Sequence, residues 1–204
     1  MALTKEQVAN RALALIGADP ITSFTDDDSQ EALFCTQIYD GLVEALLTDK
    51  PWRFAMKQAE LDRLVAEPVG RWTAAYELPA DLLRLQAVTC NDVPINYDRY
   101  DGKIFSDSDV NDVIVADYIY KANPTEWLPY FTQAFVFYFA GMLGGALARD
   151  ADLVEKYEKL GEKWMQKAAT IDSQSQTTRR IRLTRFAKVR GSDRTNGGFR
   201  DDGY

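Results

Sequence analysis

Asp107-Ser108-Asp109-Val110-Asn111-Asp112 is the stretch whose spacing comes nearest to a metal loop. A calcium loop needs alternating oxygen ligands, a glycine at its sixth position and a bidentate glutamate at its twelfth. Here the sixth position is Asp112 and the twelfth is Tyr118, so the stretch reads as a polar hairpin turn. Asp26-Asp27-Asp28 precedes Ser29, and negative charge is favourable at a helix N-terminus. With no second ligand group close by, those three residues read as a cap and first-turn cluster. The chain contains no His. That removes Ser/His/Asp and Cys/His nucleophilic arrangements, the commonest general base and the commonest metal ligand. Carboxylates abound, so a paired-carboxylate glycosidase remains formally open, but no pair stands out. Cys35 and Cys90 lie 55 positions apart, outside any CxxC pattern, and read as buried thiols of a reducing compartment. There is no Walker motif and no GxGxxG. These observations assign no catalytic, metal or cofactor-binding residue and point away from an enzyme.

The other chemistry is cationic. Residues 179–204 carry eight Lys/Arg against three Asp/Glu, a net of +5, whereas residues 1–178 carry a net of −12. The basic side chains are Arg179, Arg180, Arg182, Arg185, Lys188, Arg190, Arg194 and Arg200, interleaved with Phe186 and Phe199. Guanidinium groups and rings in alternation can hold phosphates and stack on bases. A sequence pI near 4.7 nonetheless argues against a dedicated DNA-binding domain. Ile181, Leu183, Phe186 and Val189 between the arginines fit better a segment that docks on protein, its arginines paired with carboxylates. Composition leaves two readings open: an arm that reaches for a partner, and a solvated tail.

The body that would carry this arm has one expected architecture, α+β. An antiparallel helical bundle is predicted over residues 4–17, 29–50, 130–149 and 152–172, with a small antiparallel sheet inserted over about 74–122. The corresponding segments are 1–73, 74–122, 123–175 and the arm 176–204. Thr4 and Gln7 form a capping box, Val8, Ala12, Leu15 and Ile16 form the apolar face, and Gly17 ends the first helix. In the second helix, Ala32, Cys35, Ile38, Tyr39, Leu42, Leu46 and Leu47 recur at helical spacing until Pro51. Pro51-Trp52-Arg53-Phe54-Ala55-Met56 reads as an anchored turn or short helix. Strands are expected over 82–89, 93–97 and 112–121, with Asp101-Gly102 as a hairpin turn. Trp52 and Trp164 are both expected to be largely buried. Residues 128–148 run 21 positions without a charge, but Pro129, Thr132 and Gln133 interrupt them and no basic cluster flanks them. They read as a central buried helix rather than a membrane span, with Gly141, Gly144 and Gly145 letting another helix approach. The start of the chain is amphipathic, with no apolar leader expected.

Several of these motifs occur together in one known family. Ala14-Leu15-Ile16-Gly17, the loop Pro20-Ile21-Thr22-Ser23-Phe24, Pro51-Trp52-Arg53-Phe54-Ala55 leading to Ala59-Glu60-Leu61, Trp72, Tyr76-Glu77-Leu78-Pro79-Ala80-Asp81 with Leu83-Arg84-Leu85, and Trp127 before a late helix pair follow one another in order. In that order and spacing, over about residues 1–172, the chain resembles the head-to-tail adaptor proteins of short-tailed phages, the tail tubular protein A type. The resemblance implies a non-enzymatic virion protein without a cofactor, assembled in the host cytoplasm into a homo-oligomeric ring, typically dodecameric. The ring sits between the portal protein and the tail nozzle protein, and DNA passes through it without sequence recognition. The arm is the least family-like portion. Its contact with portal or a neighbouring subunit rests on its charge. The alternatives are a carboxylate-dependent cell-wall glycan hydrolase and a DNA-binding packaging or regulatory protein that uses the arm.

Overall fold

The computed structural model describes residues 3–25, 28–66 and 68–174. The first helix, α1 (Lys5–Ile16), begins as its capping residues dictate. The Thr4 hydroxyl accepts the Gln7 N–H at 3.3 Å, and the Gln7 side-chain oxygen accepts the Thr4 N–H at 3.1 Å. Gly17 ends it in the left-handed region at φ 73°, where a side chain would be strained. Its buried face is Val8, Ala9, Ala12 and Leu13, not the expected Val8, Ala12, Leu15 and Ile16. Leu15 is 37% exposed because, at ~100° per residue, it lies about 90° from the centre of that face. α2 (Gln30–Asp49) starts at Ser29, whose hydroxyl accepts the Ala32 N–H at 3.2 Å. Ala32, Cys35, Tyr39, Val43 and Leu47 are its buried stripe. Ile38, Leu42 and Leu46 flank that stripe and are only partly buried.

Among the described residues seven strands follow, in two sheets. β1 (Met56–Glu60), β7 (Ile114–Tyr120), β3 (Leu82–Cys90) and β4 (Val93–Pro94) lie in that order in one antiparallel sheet. β2 (Ala74–Glu77), β6 (Lys103–Ser106) and β5 (Tyr97–Tyr100) form the second. The single expected sheet is therefore two, and it gains a strand from outside residues 74–122. β1 pairs with β7 from Met56 opposite Ile119 to Glu60 opposite Val115. Met-Lys-Gln-Ala-Glu has no β-branched residue and no clean alternation, so its strand character comes from pairing. The expected strand over 93–97 breaks after Pro94, which lacks the N–H a ladder needs. Asp101 and Gly102 turn the β5–β6 hairpin with φ 53° and 66°, both positive as a mirror-image turn demands. Asn91 and Asp92 do the same between β3 and β4.

The second half returns to helix. α3 (Pro129–Leu143) continues into a single wide π-type turn over Gly144–Ala148, and α4 (Ala151–Gln174) folds back along it. By length and composition Pro129–Ala148 could cross a membrane. Here 56% of its most apolar 18-residue window is buried, and the stretch packs on α1, α2 and α4. The α3–α4 contact is close because glycines remove the Cβ atoms between them. A Cβ on Gly161 would sit 2.9 Å from the Tyr138 ring. One on Gly141 would meet Val154 and Tyr157 at ordinary contact distance. Two apolar clusters result. The larger joins all four helices to Ile119 and Ala122 at the end of β7. The smaller, with Leu61, Tyr76, Val88, Ile104, Ile114 and Ala116, lies where the two sheets face each other.

The aromatic packing concentrates at Phe131, whose ring lies 5.0 Å from Trp52, 5.0 Å from Phe54 and 5.1 Å from Trp127. Trp52 is 1% exposed, as expected. Trp164 also packs against the core but is less enclosed: it stacks on Tyr130 at the open end of the α3–α4 hairpin, with the Lys167 ammonium 4.9 Å above its ring.

Candidate functional site

The sequence assigns partner contact to Arg179, Arg180, Arg182, Arg185, Phe186, Lys188, Arg190, Arg194, Phe199 and Arg200. All ten lie outside the described residues, so none of them is placed. The described residues do fix where that segment is rooted. α4 runs to Gln174, and its last turn is tied to the turn that follows α2. The Asp172 carboxylate accepts the Arg53 backbone N–H at 2.9 Å. Asp172 is only 5% exposed. Burial pushes its carboxyl above the ordinary range, while the Arg53 N–H and the Arg53 charge pull the other way. Trp52 completes the joint by donating its indole N–H to the Leu46 carbonyl at 2.8 Å. A cavity of about 300 Å³ lies here, bordered by Lys50, Arg53, Ala169, Asp172 and Ser173.

Asp172 was legible in principle. It falls four positions after Ala168 on the buried stripe of α4, where a carboxylate at a helix C-terminus is doubly disfavoured. A residue kept there has to be holding something, and it holds the Arg53 N–H.

The polar turn over residues 107–112 has the character its spacing suggests. Asp107 accepts the Thr73 N–H at 3.2 Å, and Asp112 accepts the Asp109 N–H at 2.8 Å. Arg63 reaches in to the Ser108 carbonyl at 3.1 Å, and the Tyr76 and Ser108 hydroxyls are 2.7 Å apart. These carboxylates cap backbone, and among the described residues no group of three or more His, Cys, Asp and Glu is placed to hold a metal ion. Of the aspartates before α2, Asp26 and Asp27 lie outside the described residues.

Two cation–carboxylate groups sit elsewhere. Lys121 bridges Asp40 at 3.0 Å and Glu44 at 2.9 Å, and Lys5 reaches Asp40 at 3.2 Å. Burial opposes ionisation of Asp40, but the two ammonium groups outweigh it and hold the carboxyl below its usual range. Lys57 and the Tyr118 hydroxyl both donate to Asp81, each at 2.9 Å. The Lys57 hydrogen bond comes first in lowering that carboxyl. Both groups join elements: Asp40 ties α1 and α2 to the end of β7, and Asp81 ties β1 and β7 to the turn before β3. Among the thiols, Cys35 is buried and pushed up to about 12 by burial and by Glu31, so it is a poor nucleophile.

One concavity has no counterpart in the sequence motifs. It is a groove of about 860 Å³ between α1 and the start of α3, with Arg11, Ala14, Trp127, Pro129 and Gln133 among its walls. Its residues come from two segments more than 100 positions apart, and neither half carries a motif. Comparison with protein-family models finds no match for the chain, and comparison with curated proteins finds none either.

Proposed function

We propose that this protein is the head-to-tail adaptor of a short-tailed phage. It is a structural, non-enzymatic virion subunit that closes into a ring between portal and tail nozzle, and genome DNA passes through that ring during ejection. The observation that carries the reading is the division of charge, −12 over residues 1–178 and +5 over residues 179–204. An acidic wall repels a passing duplex, and a basic arm seeks carboxylates on a protein partner.

The motif residues add support through the places they occupy. Pro51-Trp52-Arg53-Phe54-Ala55 is the joint between α2, β1 and the end of α4. Tyr76-Glu77-Leu78-Pro79-Ala80-Asp81 supplies β2 and the Asp81 tie to Lys57 and Tyr118. In this reading the four long helices form an antiparallel bundle, of which the α3–α4 hairpin is the best-packed pair. The arm then leaves from the tied-down end of α4 toward the portal or the neighbouring subunit. Exposed Val65, Val69, Val93 and Val110 give the body apolar points for heterologous contacts, which a closing ring requires.

Native mass spectrometry of the full chain, alone and with its portal, tests the reading. The expected result is a closed oligomer of one defined size that forms or is retained on the portal. A chain that stays monomeric and does not join portal would overturn it.

A further inference from the structure

The groove between α1 and α3 stands out in an acidic body because, among the described residues, Arg11 is the one charged residue in its walls. The other polar groups there are largely engaged. Gln7 caps Thr4, Asn10 holds the Ile21 backbone through both of its amide atoms at 2.9 Å, and Thr132 donates to the Leu128 carbonyl at 3.2 Å. Gln133 is a further polar wall residue, and the rest is apolar, with Leu3, Ala14 and the Trp127 ring on its sides. Arg11 is exposed and makes no ion pair with the described residues. The nearby carboxylates turn elsewhere: Glu126 accepts the Asn123 N–H at 2.8 Å, and Glu6 lies toward Tyr39 on α2. α3 opens beside the groove with no side-chain cap and no acidic residue in its first turn, which adds to the positive character already set by Arg11. The groove therefore suits a short segment with large apolar side chains and one or two carboxylates.

The chain itself contains such a segment. Residues 199–204, Phe-Arg-Asp-Asp-Gly-Tyr, carry two rings and two adjacent carboxylates, unlike the arginine-rich stretch before them. Twenty-four residues separate them from Gln174, the end of α4. Twenty-four residues reach about 80 Å at full extension, enough for the chain's own groove or that of an adjacent copy. We propose that the α1–α3 groove is the docking site for residues 199–204, with Asp201 or Asp202 paired to Arg11 and Phe199 or Tyr204 against Trp127. Tethering supplies an effective concentration near millimolar, so a weak contact suffices. The docked segment holds both ends of the basic stretch and presents residues 179–194 as a loop. This inference does not depend on the portal or on ring formation.

A photocrosslinking experiment on the full chain tests it without either. p-Benzoylphenylalanine replaces Ala14, an exposed wall residue, and the adducts are mapped by mass spectrometry. The expected adducts fall on residues 199–204. Arg11→Glu should cut their yield about five- to tenfold, the scale of one charge-assisted contact. Asp201→Arg with Asp202→Arg in the Arg11→Glu background should restore most of it. Mixing isotope-labelled and unlabelled chains assigns the contact to the same copy or to a neighbour, and either supports docking. Circular dichroism confirms that each variant is folded. Adducts on the loop around Val65 and Val69 of a second copy, adducts confined to residues 179–194, or a yield indifferent to the charge swap would overturn the proposal.

Discussion

The Arg53 backbone N–H donates to the Asp172 carboxylate at 2.9 Å across 119 positions of sequence. This bond fastens the last turn of α4 to the turn between α2 and β1, the point from which the basic segment continues. Asp172→Ala removes that acceptor from a part-buried N–H, and the loss of one such hydrogen bond costs about 0.5–1.5 kcal/mol. Urea denaturation of the variant should give a loss in that range. No loss at all would mean that the bond contributes nothing net.

The same carboxylate sets a pH dependence. Its affinity for a proton is raised by folding, chiefly through burial. A carboxyl raised in this way binds its proton more tightly folded than unfolded, so its ionisation weakens the fold. The penalty is absent below the ordinary carboxylate range, grows as pH rises through it, and is complete above the folded value. Asp172→Asn keeps an acceptor oxygen but cannot ionise. Its stability relative to the unsubstituted protein should therefore increase between about pH 3 and pH 7. Melts followed by circular dichroism across that range check the sign, and a difference that is flat or falls with pH contradicts it.

The two tryptophans expected to be alike separate in the structure. Trp52 is enclosed by Phe54 and Phe131, whereas Trp164 keeps one side open beneath Lys167. Trp52→Ala should destabilise by about 3–5 kcal/mol, and Trp164→Ala by about half of that or less. Chemical denaturation of both variants gives the ordering, and equal losses would show that Trp164 is as enclosed as Trp52.

Two glycines make a paired test of helix contact. Gly161→Ala places a methyl group 2.9 Å from the Tyr138 ring, near the root of that side chain. Overpacking typically costs about 1–3 kcal/mol, which outweighs the roughly 1 kcal/mol that alanine gains over glycine in a helix. Gly41→Ala on the exposed side of α2 meets nothing within 4 Å and should stabilise by about 0.5–1 kcal/mol. Opposite signs in thermal melts are the expected result. A stabilised Gly161→Ala would mean that α3 and α4 are further apart.

The contrast between local and tertiary signals explains what the sequence could tell. The Thr4–Gln7 capping box, the Gly17 terminus and the Asp101-Gly102 hairpin are written within three or four residues, and each appears where expected. The cap of α2 is Ser29, so Asp28, expected in the cap and first-turn cluster, lies just before it. β1 is written nowhere in Met56–Glu60; it exists because β7 offers a ladder. The split into two sheets likewise depends on which strands meet, which period-2 alternation does not encode. The face of α1 went astray at Leu15 because helical spacing alone does not say which way the partner helix crosses. Of the candidate site, the charge of the arm was plain. Asp172 itself was legible from its place on the buried stripe of α4, but its partner Arg53 and the α1–α3 groove were hidden because each joins segments over 100 residues apart.

Arg179, Arg180 and Arg182 are the first three cationic residues after Gln174. If Arg179, Arg180 and Arg182 pair with carboxylates on the portal or a neighbouring subunit, each desolvated pair contributes on the order of 1.5–3 kcal/mol. Replacement by alanine removes the attraction, while replacement by glutamate sets like charges against each other. The triple Glu variant should therefore join portal more weakly than the triple Ala variant. Added salt should weaken joining by the unsubstituted chain, barely affect the Ala variant and partly relieve the Glu variant, because screening acts on attraction and repulsion alike. Deleting residues 179–204 should leave helical content measured by circular dichroism intact, since the described helices all lie within residues 5–174 and Asp172 ties α4 to Arg53. Sedimentation with purified portal reads the joining. Normal joining by the truncated chain would return these residues to a solvated tail.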